Sequence, residues 1–206
     1  MPLINYEIEQ GSDEWFAAKL GKPSASGSSK LVTSKGAPSK SLEGYAQDLA
    51  VESFTKRAAN EWSGNAATEF GNIKEASARS TYEFTHEIEV VQAGFIEDDL
   101  HRYLISPDGL VGDNGLLEIK CKPKLHLATL LYYKKHNKIP TDYISQLQMQ
   151  LLVSEREWVD LYYYSEDLPC LEVRVYPDAE MFKALQNQLA LVVARRDEIL
   201  KTLEEF

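Results

Sequence analysis

The sequence predicts an α/β or α+β domain in which helices flank a central mixed β-sheet. Three observations predict it. Segments with apolar residues at three-to-four-residue spacing alternate with short runs rich in β-branched and aromatic residues. The length, 206 residues, suits one domain with a substantial core and is somewhat short for two. No internal repeat or low-complexity tract interrupts the pattern.

Each element has a local reason. Ser12 is placed to cap a short helix over Asp13–Leu20, with Trp15 and Leu20 on its apolar side. That placement makes Trp15 a core residue rather than a base-stacking platform. GKPSASGSSK, rich in Gly, Ser and Pro, reads as a loop entering a second short helix near Lys30. Leu42–Arg57 reads as a helix and Ala58–Ala67 as a connection. A further helix over Thr68–Phe84 carries Phe70, Ile73, Ala76, Ser80 and Phe84 at helical spacing. Strands are predicted over Ile88–Gln92, Tyr103–Val111 and Leu116–Lys122. A helix over Leu125–His136 follows, and then a helix over Tyr143–Val153, capped by Thr141 and Asp142. Strands Trp158–Tyr164 and Leu171–Tyr176 come next. The run Tyr162-Tyr163-Tyr164 alternates faces, so at least one ring belongs to the core. Pro177 and Asp178 open a long amphipathic helix with Phe182, Leu185, Leu189, Val192, Ile199 and Leu203 as its stripe.

Composition narrows the function classes. A hydrophobic content of 44% fits an ordinary soluble globular protein. The first residues, MPLINYEIEQ, lack the pattern of a signal peptide. The longest apolar stretch, Leu189–Ala194, is far too short to span a membrane. Cys121 and Cys170 match no metal spacing and read as reduced core residues of a cytoplasmic protein. His86, His101, His126 and His136 show no ligand spacing and read as surface residues. There is no Ser/His/Asp triad, phosphate loop or zinc set. The net charge of −10 argues against coating nucleic acid indiscriminately. Yet Ile119–Thr141 holds six lysines and no acidic residue, with His126 and His136 besides. Such a stripe is either a solvated lysine face or a groove that grips phosphates in one place.

The chemistry concentrates in SPDGLVGDNGLLEIKCK, Ser106–Lys122. Glu118 and Lys120 leave the same face of a strand, while Leu117, Ile119 and Cys121 leave the other, toward the core. A three-residue loop Asp113-Asn114-Gly115, with Gly115 left-handed, would set Leu110 opposite Glu118 and Asp108 opposite Lys120. Asp108 would then be diagonal to Glu118 and within its reach. A two-residue turn would turn Asp108 to the other face, and a bulge near Pro107 would change the count again. Two carboxylates converging from adjacent strands are what a hard divalent cation requires. A neighbouring lysine can orient an attacking water. The competing structural account is a cross-strand Asp–Lys pair on a wet sheet, worth a fraction of a kcal/mol.

The elements SPDGL and GLLEIKC resemble the active-site hairpin of the PD-(D/E)XK nuclease superfamily, and more narrowly that of the phage lambda exonuclease or YqaJ-type viral recombinase family. QGSDEWFAAKLGKPSAS resembles that family's N-terminal segment, FGNIKEASARSTYEF its glutamate helix and YISQLQMQLLVS its glutamine helix. The blocks come in the family's order from Gln10 to about Tyr164.

The resemblance implies a restriction-endonuclease-like core in a single nuclease domain, 1–206. Asp108 and Glu118 match the metal-binding carboxylates, with the Ile119 carbonyl a further ligand, and Lys120 matches the catalytic lysine. Glu75 matches the helix glutamate, for which the alternative is an exposed pair with Arg79. Gln146 matches the glutamine near the attacking water, and helical spacing alone leaves either Gln146 or Gln148 on the polar side. Lys19 and Ser26 match the residues that grip the 5′ phosphate. The family tends to have arginine at the first of these, and lysine keeps the charge but loses the bidentate fork.

By the same resemblance the cofactor is Mg2+, with Mn2+ a candidate substitute, and the substrate is the end of linear double-stranded DNA, degraded 5′→3′ to leave a 3′ single strand. Lys122, Lys124, Lys134 and Lys135 would contact the DNA backbone. The family's ring-shaped homotrimer and a single-strand annealing protein are the implied partners, in a bacterial host cytoplasm under phage or prophage origin. The rivals are an endonuclease of the same superfamily and a non-catalytic DNA-binding or assembly module with the same fold.

Overall fold

Ser12, Pro123 and Asp178 start three helices for reasons of residue chemistry. The Ser12 hydroxyl accepts from the Trp15 N–H at 3.2 Å and opens α1, Asp13–Lys19. Pro123, whose missing N–H costs nothing in a first turn, opens α4, Pro123–His136. The Asp178 carboxylate accepts from the N–H groups of Glu180 and Met181 at 2.9 and 3.0 Å and opens α6, Ala179–Glu204. The remaining helices are α2, Leu42–Thr55; α3, Ala66–His86; and α5, Ile144–Ser154. A short 3-10 helix covers Ala25–Lys30. The computed structural model describes residues 1–59, 66–138 and 141–206. The expected connection Ala58–Ala67 falls largely outside the described residues, as do the side chains of Phe70 and Ile73.

Eight strands form two sheets among the described residues. β1 (Leu3–Asn5), β3 (Phe95–Glu97) and β4 (Leu104–Ile105) make a small antiparallel sheet in the order β1-β3-β4. The central sheet contains β2 (Val90–Val91), β5 (Gly109–Val111), β6 (Gly115–Lys120), β7 (Trp158–Tyr163) and β8 (Leu171–Val175), in the order β2-β5-β6-β7-β8. It is mixed because β6 and β7 are parallel while its other neighbours are antiparallel. A parallel pair needs a long crossover, and here α4 and α5 supply it. The strand expected over Tyr103–Val111 is therefore two strands in different sheets, broken at Ser106–Asp108, where Pro107 cannot continue a ladder.

Both faces of the central sheet are covered. One packs Leu110, Leu116, Val159, Leu161 and Tyr163 into the main core with Leu147, Leu151 and Val153 of α5 and Leu185, Leu189 and Val192 of α6. The other packs Leu117, Ile119, Val111 and Tyr162 against Ala78 and Tyr82 of α3. β6 is thus buried on both sides, as strands with helices on both faces are. This corrects the expectation that only Leu117, Ile119 and Cys121 face a core.

Four further corrections follow from packing. On α3 the expected stripe points outward, with Ala76 and Ser80 exposed and Phe84 86% exposed, and Ala78 and Tyr82 make the buried face. Cys170 is exposed and Cys121 half-buried, so neither is a full core residue. His126, on α4, is fully buried against the Tyr163 ring, whereas the other three histidines are exposed. Trp15 is half-buried, and its indole N–H is shared between the Gly94 carbonyl and the Ser106 hydroxyl, each at 3.0 Å. No helix among the described residues is long and apolar enough to cross a membrane.

Candidate active site

The pairing of β5 with β6 decides which carboxylates meet. Gly109 faces Leu117, Leu110 faces Leu116 and Val111 faces Gly115, so the loop is Gly112-Asp113-Asn114. This corrects the expected loop by one residue. Gly112, at φ +53°, takes the left-handed position assigned to Gly115. Gly115 is required for another reason: a Cβ there would lie 2.2 Å from the Trp158 ring. Arg156 ties the loop ends together by donating to the carbonyls of Gly112 and Gly115 at 2.8 and 2.7 Å. Moving the loop by one residue moves the pairing by two, and the period-two alternation is kept. One step beyond Gly109–Leu117, Asp108 falls directly across from Glu118, closer than the expected diagonal. Replacing Gly115 by alanine should force Trp158 or the strand aside and cost roughly 1–3 kcal/mol in urea unfolding, as overpacking does.

Glu118 is 3% exposed, and among the described residues its carboxylate accepts from three side chains. Its Oε1 accepts from Lys120 Nζ and from Gln146 Nε2, the latter at 2.6 Å. Its Oε2 accepts from Gln150 Nε2 at 2.6 Å. Gln146 and Gln150 are one turn apart on α5 and share a side of it. Gln148 points elsewhere: its Nε2 donates to the Tyr176 carbonyl and its Oε1 accepts from the Asp178 N–H, both at 2.8 Å. The structure thereby separates the two glutamines that helical spacing left equivalent. Lys120 lies over the Tyr143 ring, 4.9 Å from its centre.

Asp108 Oδ2 accepts from the Ile119 N–H at 2.6 Å, which locks the carboxylate onto β6. The Asp108 carbonyl accepts from Arg79 Nε at 3.2 Å, which ties α3 to the same spot. Arg79 does this instead of forming a close ion pair with Glu75, and none joins them among the described residues. Burial and the neighbouring charges of Glu118 and Glu75 push the Asp108 carboxyl well above its usual range. Burial and then Glu118 likewise raise Glu75, against the pull of Lys120 and Arg79. Burial alone would lower Lys120, but Glu118, Asp108 and the hydrogen bond to Glu118 outweigh it, so its ammonium is held charged.

The donors are carboxylate oxygens plus a strand carbonyl, without sulfur or imidazole, and the carboxylates crowd one another. That set suits a hard divalent cation such as magnesium, which keeps much of its water and needs only one or two protein carboxylates. Asp108 and Glu118 would hold it, with Glu75 and the Ile119 carbonyl beside them. Among the described residues no three His, Cys, Asp or Glu side chains form a ready-made cage, in keeping with Lys120 occupying Glu118.

Asp108, Glu75 and Gln146 open onto a cleft of about 510 Å³, whose other wall carries Lys19, Ser26 and Trp15. The wall is placed by Ser28, whose hydroxyl donates to that of Ser145 at the start of α5, at 3.0 Å. Lys19 Nζ lies 3.7 Å from the centre of the Trp15 ring. Burial lowers its pKa to about 8, with Glu52 partly opposing. Ser26 is exposed, its hydroxyl 3.1 Å from that of Ser24. Lys122, Lys124, Lys134 and Lys135 are exposed on α4 and its cap, outside this cleft.

Gln150 and Tyr143 join the site without having been singled out from the sequence, and Arg79, considered there only as a partner for Glu75, joins it through the Asp108 carbonyl. Gln150 could have been found as the second glutamine one turn after Gln146. Arg79 and Tyr143 carry no such signal, because their roles depend on how α3 and the start of α5 pack onto β6.

A family model of the YqaJ-like viral recombinase domain matches residues 14–157. Among solved structures, the alkaline exonuclease LHK-Exo from Laribacter hongkongensis is similar with a TM-score of 0.81 and 30% identity, over 94% of this chain and 97% of that one. The same enzyme in complex with dAMP gives 0.80 and 29% over the same shares, 94% and 97%. A phage related exonuclease from Haemophilus somnus 129PT shares the fold, with a TM-score of 0.66 and 14% identity over 88% of this chain and 96% of that one. No curated protein sequence matches this chain. The fold is that of a viral recombinase-like alkaline exonuclease.

Proposed function

Because this chain belongs to the YqaJ-like viral recombinase family, we propose that it is a magnesium-dependent exonuclease that degrades linear double-stranded DNA 5′→3′. The product is a 3′ single strand for phage-type recombination by strand annealing. The observation that carries this reading is the meeting of Asp108 and Glu118 across β5 and β6, with Lys120 and Gln146 on Glu118, where Asp108 and Gln146 line a cleft that Lys19 and Ser26 also line. The 30% identity to an alkaline exonuclease over nearly the whole chain supports it.

When bound, magnesium supplies a Lewis acid that neutralises charge on the scissile phosphodiester and lowers the pKa of the attacking water. The residues do the rest. Gln146, half-buried and open to the cleft, orients the nucleophile through its amide. Lys120 keeps its protons on Nζ and serves as a fixed positive charge beside the reacting phosphate. Lys19 and Ser26 hold the 5′ phosphate and set how far the strand enters.

Lys19 gives this assignment a pH signature. An ammonium with a pKa of about 8 is charged below that pH and neutral above it. The preference for a 5′-phosphoryl over a 5′-hydroxyl end, read as a ratio of kcat/KM, should fall as pH rises through about 8. The limiting slope is about tenfold per unit, because kcat/KM reports free-enzyme ionisations. In Lys19→Met the ratio should be low and flat.

A second copy and a third complete the proposal. A homotrimeric ring reconciles a net charge of −10 with DNA, because the exposed lysines of α4 can line a channel while acidic surfaces face outward. A stable monomer in light scattering would sink the ring. The working partner is a single-strand annealing protein that loads on the exposed strand in the cytoplasm of a bacterial host. The central test offers linear duplex labelled at either end, and closed circles, with Mg2+, Mn2+ or chelator. Label should leave only from 5′ ends and only with metal. Cutting of closed circles would make the protein an endonuclease, and absence of cleavage would make it a binding module.

A further inference from the structure

We propose that Gln150 is a positioning residue that fixes Glu118 for divalent-cation binding, acting on the carboxylate oxygen that Lys120 and Gln146 leave alone. The inference rests on the reading of Asp108 and Glu118 as metal ligands and adds a residue that this reading does not contain.

The two glutamines on Glu118 are not equivalent. Gln146 is half-buried and borders the cleft, so its amide can turn from Glu118 to a substrate or a water. Gln150 is 0% exposed and does not border the cleft. Its amide therefore reaches the chemistry only through Glu118 Oε2, at 2.6 Å.

The other end of the same amide sharpens the point. Gln150 Oε1 is buried and accepts no hydrogen bond among the described residues. A methionine is close to glutamine in volume and would leave no orphaned carbonyl in this buried place. Packing therefore does not call for an amide here, and the contact to Glu118 is what the amide provides.

The donors say what the contact does. Among the described residues Oε1 accepts from two side chains, Lys120 and Gln146, and Oε2 from Gln150. Lys120 and Gln146 can leave Oε1 when a cation or a phosphate arrives. Gln150, fully buried and outside the cleft lining, stays on Oε2 and holds the plane of the carboxylate through that exchange. Partners that orient a ligating carboxylate are worth about 10–100-fold in metal affinity or activity.

The test measures Mn2+ binding by calorimetry without DNA, in the wild type, in Gln150→Met and in Glu118→Gln as the reference for a lost ligand. Wild type should bind. Gln150→Met should bind about 10–100-fold more weakly while the metal-free circular dichroism stays the same. The Mg2+ needed for half-maximal cleavage should rise by a similar factor, with the rate recovering at saturating Mg2+. An unchanged Mn2+ affinity with a lowered melting temperature would make Gln150 purely structural and overturn the proposal, leaving the nuclease reading intact. A wild type that binds no Mn2+ would overturn the metal reading itself. Should Gln150→Met not fold, Gln150→Asn, one methylene too short to reach Glu118, must show the same weakening. If neither folds, the side chain is a structural one and the proposal falls.

Discussion

Asp108→Asn is expected to abolish cleavage and, at the same time, to raise the melting temperature of the metal-free protein. On the proposed reading, the first effect follows from losing a carboxylate that would hold a cation supplying several kcal/mol of charge stabilisation, at least about a thousandfold in rate. The second follows from the crowding of Asp108 by burial, Glu118 and Glu75, which raises its carboxyl well above the usual range. A folded-state carboxyl with a raised pKa holds its proton more tightly than the unfolded chain does. Its stabilising contribution is complete below the unfolded value of about 3.9 and is lost as pH rises through the raised value. Above the unfolded value, keeping this carboxyl in its crowded, buried place therefore opposes folding. Asparagine removes that opposition and keeps an acceptor for the Ile119 N–H. Each kcal/mol relieved is worth roughly 2–4 °C in a chain of this size. The gap between variant and wild type should be widest above neutrality and close toward pH 4. Equal melting temperatures at all pH values would show that the carboxylates do not crowd as described.

Lys120→Met is the second large effect. Cleavage of 5′-phosphorylated linear duplex under single-turnover conditions should fall about 10²–10³-fold, the usual cost of removing one preorganised charge from an active site. Binding of DNA ends, which the other lysines support, should survive. The metal-free fold should also weaken, since Glu118 would be left buried without its cation, and removing one partner of such a pair costs about 3–5 kcal/mol. The donors on Gln146 and Gln150 keep the loss at the lower end of that range. Magnesium should therefore raise the melting temperature of the variant more than that of the wild type. A full-rate Lys120→Met enzyme would remove the lysine from the mechanism.

How much of this could be read beforehand differs from element to element. The caps at Ser12 and Asp178 were legible because their chemistry is local, each bonding its own helix. The cap expected from Thr141 and Asp142 is not made: these residues form a 3-10 turn, and α5 starts after Tyr143 without a side-chain bond. The helical character of α3 was legible, but its buried face was not. Spacing counts apolar side chains and so chose Phe84, which is exposed. The core instead takes Tyr82, whose burial is tolerable because its hydroxyl donates to Asp160 at 2.7 Å across the sheet. Trp15 failed for a related reason, since its ring is wide enough to serve a cleft wall while its N–H holds the segment before β5. The break of the long predicted strand at Pro107 was written in the sequence, but which sheet each half would join was not.

The sequence by itself determined the chemical inventory: two carboxylates, a lysine and a strand-turn-strand between them, with a second glutamate and a glutamine on helices elsewhere. Period-two alternation made the outcome robust, so that a loop displaced by one residue still kept Asp108 on the side of Glu118. Only the tertiary structure decided that Asp108 is opposite rather than diagonal. It alone chose Gln146 over Gln148 and brought in Gln150. Those choices depend on the rotation of α5 against β6 and on a Trp158 ring that leaves no room for a side chain at Gly115. Contacts between elements distant in the chain set both, and no local pattern encodes them.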